Sequence, residues 1–189
     1  MKLKDSFKKF SDGAIHKVIP PAQTCAIALK KIRAVIPPVY VRHFPVVRPS
    51  RIPQYFVQGT EYFRRITNQE GANGKGHTEA QALTSGLMEF AERYSCKKFF
   101  MFRKPLVASF GDLRDNPYRL SDLYAHCPGN GAAVRIPDRE AENIRVRWFK
   151  ASTLSGEPAY LPVPMAGYMV LGTNGMSAGN SPEEAALRE

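Results

Sequence analysis

The stretch 74–94, GKGHTEAQALTSGLMEFAERY, constrains this chain most, because its pattern fits one kind of element. Thr78 is placed to cap a helix start, and Gln81, three residues on, completes a capping box. From there the sequence runs without proline, with Thr84 its one β-branched residue, as a single amphipathic helix. At about 100° per residue, Leu83, Leu87, Phe90 and Tyr94 fall on one narrow apolar face. Ser85, Glu89 and Glu92 share an arc of roughly 60° on the opposite side, with Arg93 just beyond. One face thus carries a hydroxyl, two carboxylates at i and i+3, and a guanidinium.

Two carboxylates that close repel each other unless positive charge sits between them. Mg²⁺ suits Glu89 and Glu92, since it takes oxygen ligands, keeps waters and is commonly shared with substrate phosphates. Arg93 offers a bidentate fork to phosphate, and Ser85 a neutral donor. The plainer reading is a solvated helix face with Glu89–Arg93 as an ion pair worth about 0.2–0.5 kcal/mol.

The residue types taken together go further. Gly74-Lys75-Gly76 followed by Ser85, Glu89, Glu92 and Arg93 resembles the signature of the YcaO family, a Gly-Lys-Gly turn and a helix carrying Ser-x-x-x-Glu-x-x-Glu-Arg. A second marker of the family stands at 173–185, TNGMSAGNSPEEA. The resemblance implies ATP and Mg²⁺ as cofactors and phosphorylation of peptide backbone amides, giving azolines or thioamides. It also implies an alternative, a non-catalytic accessory factor for methylthiolation of a ribosomal protein. Family members place a basic residue and a small hydroxyl near the start of the chain, both reaching the nucleotide. Lys17 and Thr24 are the matching positions here. The nucleotide contacts expected are therefore Lys17, Thr24, Ser85 and Arg93, and the metal ligands Glu89 and Glu92, with no catalytic residue assigned.

Composition narrows the classes. A chain of 189 residues holds one domain or two small ones. The start, MKLKDSFKKF, lacks the apolar core of a secretory signal, and no apolar run reaches membrane-spanning length. Cys25, Cys96 and Cys127 are odd in number and widely spaced, which points to a reducing cytoplasm rather than disulfides or zinc. The net charge is +10, and residues 1–70 hold thirteen Lys and Arg against four Asp and Glu. The basic residues are scattered and no RNA-binding motif accompanies them, so an RNA-associated module is the weakest reading. The partners expected are a peptide or ribosomal-protein substrate, with room for a partner protein or homodimer, and no membrane.

Along the chain, residues 1–12 read as a basic arm and 13–189 as part of a YcaO-like domain. Residues 22–35 read as a helix ended by Pro37-Pro38, and 39–47 as a strand broken by Pro45. The aromatic stretch 54–67 reads as two strands meeting near Gly59, and 68–73 as a polar loop. GANGKGHT is no phosphate loop, since Gly76 follows Lys75 where Ser or Thr is needed. Residues 106–110 read as a strand, 111–143 as turns, and 144–151 as a strand with a mainly basic second face. Residues 160–164 are expected to pair back on it. His126-Cys127 are neighbours on a loop, a poor nucleophile pair because adjacent side chains point apart. Ser181-Pro182-Glu183-Glu184 starts a last helix, with Ser as N-cap, Pro at N1 and Glu at N3.

The fold expected is α+β, a mixed or antiparallel sheet packed by a long acidic-faced helix. By the resemblance, the last helix continues into a second Glu-x-x-Glu-Arg motif that completes the metal–nucleotide site. Residue 189 comes before it, and Arg188 stands where relatives often have Gln. A truncated YcaO-like domain is therefore expected, lacking its C-terminal half, with weak ATP binding at most and no turnover alone.

Overall fold

The computed structural model describes residues 10–12, 15–36, 39–44, 52–113, 115–119, 142–163 and 176–186. Strands are β1 (Phe10–Asp12), β2 (Ile15–Lys17), β3 (Tyr40–Phe44), β4 (Gln54–Gln58), β5 (Gly71–Lys75), β6 (Leu106–Ala108), β7 (Val146–Ser152) and β8 (Pro158–Pro162). Helices are α1 (Pro21–Val35), α2 (Glu61–Thr67), α3 (Glu79–Phe102) and α4 (Pro182–Ala186). The class is α+β as expected, and every described strand pair is antiparallel. The elements sort into two compact units: β1 to α3 with α4 in one, β6 to β8 in the other. Among the described residues, no helix is long and apolar enough to cross a membrane. Cys25 and Cys96 are free thiols.

The first unit is built around α3. Its capping box forms as read: Gln81 N–H donates to Thr78 Oγ1 at 3.2 Å, and Gln81 Oε1 accepts from the N–H groups of His77 and Thr78. The helix runs two turns past Tyr94 to Phe102, because nothing before Pro105 interrupts it. Leu87, Phe90 and Tyr94 are buried as expected, while Leu83 is half-buried at the core's margin. Ala82 and Gly86 are buried too, on a side the apolar stripe did not mark.

The reason is β5. This segment, GANGK, read as loop and turn, is instead a strand paired with β4 from Gln54↔Lys75 to Gln58↔Gly71. It lies so close to α3 that a Cβ on Gly74 would stand 2.0 Å from Ala82 O and 2.3 Å from Gly86 N. Glycine is what lets this strand exist. Pairing and close packing override the low strand propensity of Gly, Asn and Lys.

A second correction falls on 54–67. Only Gln54–Gln58 is strand; Glu61–Thr67 is α2. Phe63, Ile66 and Thr67 are buried at i, i+3 and i+4, while Glu61 pairs with Arg64 and Arg65 on the outside. Asn68, in the left-handed region at φ 56°, ends the helix. The aromatic content suggested strands, but the spacing of the buried residues is helical. The core joins Ala28 and Ile32 of α1, Val57 of β4, Phe63 of α2, Ala72 of β5, and Leu87 and Phe90 of α3. Phe63 and Phe90 stack at 3.9 Å with planes 8° apart.

In the second unit, β6, β7 and β8 form an antiparallel sheet in that order, with β7 and β8 the hairpin expected. Trp148 is buried, and its Nε1–H donates to Ala108 O at 2.9 Å. The second face of β7 is not simply basic, since Phe149 is buried on it. Asn116 clips β8 by two hydrogen bonds to the Tyr160 backbone. His126, Cys127, the apolar run 165–171 and most of the arm at 1–12 lie outside the described residues.

Candidate functional site

A cleft of about 400 Å³ opens in the first unit, within the size range of small-molecule sites, roughly 300–1,000 Å³. Its walls come from the end of β2, the first turn of α1, the β5–α3 corner and α4. Pro21 at the first helical position fixes the start of α1, which puts Thr24 one turn in. Thr24 is buried, and its Oγ1 donates to Asn180 Oδ1 at 2.8 Å. Thr84 of α3 donates to Pro21 O at 2.8 Å and ties the two helices at the cleft's edge. Opposite stands α4, capped by Ser181, whose Oγ accepts from the Glu184 N–H.

The Glu184 side chain reaches beyond its own helix start to the end of β2. It accepts from Lys17 Nζ at 3.2 Å, the Val18 N–H at 3.2 Å and Asn180 Nδ2 at 3.1 Å. Burial alone would raise the pKa of this carboxyl. The hydrogen bonds from Asn180, Val18 and Lys17, with the Lys17 charge, outweigh burial and hold it below the ordinary glutamate value. A depressed folded-state pKa gives a contribution to stability that is complete above the ordinary glutamate pKa. It is lost as pH falls through the lower, folded-state value. We expect a carboxyl-detected NMR titration to give Glu184 a midpoint below that of a free glutamate. The protection of the Val18 amide, measured against an unstructured amide at the same pH, should fall through the same acid range. A midpoint at or above the ordinary value would contradict this network.

Of the residues singled out from sequence, Lys17, Thr24 and Ser85 line the cleft. Glu89, Glu92 and Arg93 are not among its lining residues, so the cleft brings Ser85 together with Lys17 and Thr24 and not with the two carboxylates of α3. The arc fixed their angle around α3 and left out the distance along it. Glu89 lies one turn and Glu92 about two turns past Ser85, roughly 6 and 10 Å. Arg93 donates from Nη1 to Gly71 O at 3.0 Å, and its Nη2 pairs with Glu89. Among the described residues no group of three or more His, Cys, Asp or Glu comes together as a metal cage.

Sequence reasoning missed Lys75, His77, Asn180 and Glu184 as cleft residues. Lys75 and His77 lie inside the stretch 74–94, and Asn180 and Glu184 inside 173–185, which was the available signal. Glu184 was read as a cap residue at N3, a role its spacing from Ser181 also satisfies.

A family model described as YcaO cyclodehydratase, ATP- and Mg²⁺-binding, matches residues 73–188. The chain belongs to the YcaO family. Among solved structures, it is similar to YcaO from Methanopyrus kandleri bound with AMPPCP and Mg²⁺. The identity is 22% and the TM-score 0.50, over 92% of this chain and 41% of that one, a likeness of fold. No curated protein sequence matches the chain.

Proposed function

We propose that this cleft binds ATP with Mg²⁺, and that the protein takes part in ATP-dependent activation of peptide backbone amides, as a YcaO-type enzyme. The observation that carries the reading is the meeting of Lys17, Thr24, Lys75, Ser85 and Glu184, from four separate parts of the chain, in one cleft of nucleotide size. The donor set suits the ligand. Two ammonium groups balance phosphate charge, hydroxyls donate without adding charge, and a carboxylate held ionised can take Mg²⁺ in company with waters and phosphate oxygens. Glu89 and Glu92, further along α3, are the next carboxylates the metal could draw on.

The Lys17–Glu184 pair is a preset exchange of partners. With a metal–phosphate complex between them, Glu184 turns to the cation and Lys17 to the anion, and neither buried charge is left uncompensated. Thr24 and Asn180 hold each other in place meanwhile. When bound, ATP would supply the phosphoryl group that turns an amide oxygen into a leaving group. The chain spans 41% of the length of the solved relative, so substrate and partners belong to this proposal as well.

Removing Lys17 takes away a charge-assisted contact worth about 1.5–3 kcal/mol, or roughly 10- to 100-fold in affinity. We expect Lys17→Ala to weaken Mg²⁺·ATP by that factor in calorimetry at millimolar nucleotide, and Ser85→Ala by less. Lys30→Ala, on the exposed face of α1, should change nothing. Equal affinity in Lys17→Ala and wild type would remove the cleft from the account. No measurable binding by the wild type would leave the accessory and RNA-associated readings, which need no nucleotide.

A further inference from the structure

We propose that the outer edge of β3 takes up an extended, acidic peptide segment as a fourth strand of the β3–β4–β5 sheet. This edge is separate from the nucleotide cleft, and the proposal holds whether or not the cleft takes ATP.

The sheet runs in the order β3-β4-β5, so β3 lies at its margin. Its register on β4 runs from Tyr40↔Gln58 to Phe44↔Gln54. In an antiparallel strand every second residue turns its N–H and C=O away from the partner. Among the described residues, no strand meets those outward groups of β3. Burial stops at the same place. Val57 of β4 is fully buried, whereas its cross-strand neighbour Val41 is 37% exposed. All five residues of β3 are exposed, on both faces of the sheet. Tyr40 and Phe44 are exposed too, so three large apolar side chains stand beside an open backbone edge. That combination is a template for pairing with another chain.

Charge selects the partner. Residues 13–60 hold seven Lys and Arg and no Asp or Glu. β3 and β4 both lie in this stretch, as does α1, whose Lys30, Lys31 and Arg33 are exposed. Arg42, at the centre of β3, is exposed and has no ion-pair partner among the described residues. Opposite charges directly across two strands stabilise the pairing, and like charges oppose it. A carboxylate facing Arg42 therefore favours the added strand. β-Branched residues on either side of that carboxylate would cover Val41 and His43 and extend the face begun by Val57. A second copy of this chain fits poorly, because a two-fold axis through the centre of β3 would set Arg42 against Arg42. A nucleic acid would meet the same positive charge, but it has no strand backbone to offer the open edge.

The test uses the whole chain and three probes: a short peptide alternating Val and Glu, the same peptide with Lys for Glu, and oligouridine. Fluorescence anisotropy measures binding, and amide exchange locates it. We expect the acidic peptide to bind saturably, to slow exchange across Tyr40–Phe44, and to bind about tenfold more tightly than the lysine peptide. N-Methylation of alternate amides of the peptide should abolish binding in one phase and spare it in the other, because only one set faces the edge. Arg42→Glu should weaken the acidic peptide about tenfold and reverse the preference between the two peptides. Should that variant fail to fold, Arg42→Gln decides, by losing the preference. No binding of the acidic peptide at millimolar concentration, or equal affinity for both peptides, would overturn the proposal. So would two methylation phases that behave alike. Oligouridine that binds more tightly and displaces the peptide from β3 would put a nucleic acid in its place. Self-association that protects β3 without any probe would put a second copy there.

Discussion

Gly74→Ala should strongly destabilise the unit built around α3. The added methyl would enter at 2.0 Å from Ala82 O, 2.3 Å from Gly86 N and 2.8 Å from Gly86 Cα. All three obstacles are helix backbone, so no rotamer change relieves them, and either β5 or α3 must move. Overpacking in a closed interior costs about 1–3 kcal/mol when side chains can yield, and more when they cannot. We expect at least about 3 kcal/mol, a large part of the 5–15 kcal/mol that typically holds a domain together. Gly86→Ala is the control. Its methyl would meet Val57 Cγ2 at 3.1 Å and the Gly74 backbone at 3.2–3.4 Å, which shifts of a few tenths of an ångström accommodate. Urea unfolding should separate the two variants clearly, with Gly74→Ala the weaker. A Gly74→Ala protein as stable as wild type would mean that β5 does not lie against α3.

Phe63→Ala should cost almost as much, about 3–5 kcal/mol for a fully buried aromatic. Its ring stacks on Phe90 at 3.9 Å and reaches Tyr94 at 6.3 Å, so α2 is fastened to α3 through it. The neighbour Tyr62 is 48% exposed, and its hydroxyl lies a long 3.4 Å from that of Tyr94. Tyr62→Ala should therefore cost far less. Ile66→Ala, one helical turn on and buried, should fall near the Phe63 value, about 2–5 kcal/mol. This pattern belongs to a helix, where residues 63 and 66 share a face; in a strand they would point to opposite sides. Thermal melts of the three variants check it, and a cheap Ile66→Ala would restore the strand reading of this segment.

These two sites mark where sequence reasoning fell short. The long helix was legible because its caps, its apolar stripe and its freedom from proline agree, and its capping box forms atom for atom. α1 was legible from Thr24, Ala28, Ile32 and Val35 spaced along 22–35; the first three are buried, while Val35, at the helix end, is exposed. β5 was not, since Gly71, Asn73 and Gly74 have no strand preference and become a strand only through β4 on one side and α3 beneath. α2 was misread because aromatic residues raise strand propensity, whereas the burial of Phe63, Ile66 and Thr67 is decided by packing.

The site divides along the same line. Ser85 was found from helix angle, and Lys17 and Thr24 by resemblance; all three line the cleft. Position along a helix axis is invisible to an angular argument, which is why Glu89, Glu92 and Arg93 were grouped with Ser85. Glu184 was hidden because its partner Lys17 is 167 residues away, and only the fold brings the two together.

The most direct test is an amide chemical-shift map of the 189-residue chain titrated with ATP, with and without Mg²⁺. The account expects saturable shifts concentrated at Lys17, Thr24, Lys75, Gly76, Ser85 and Glu184, larger with Mg²⁺ than without, and little change in β6, β7 and β8. No saturable shift at millimolar nucleotide, or shifts centred away from the cleft, would contradict it.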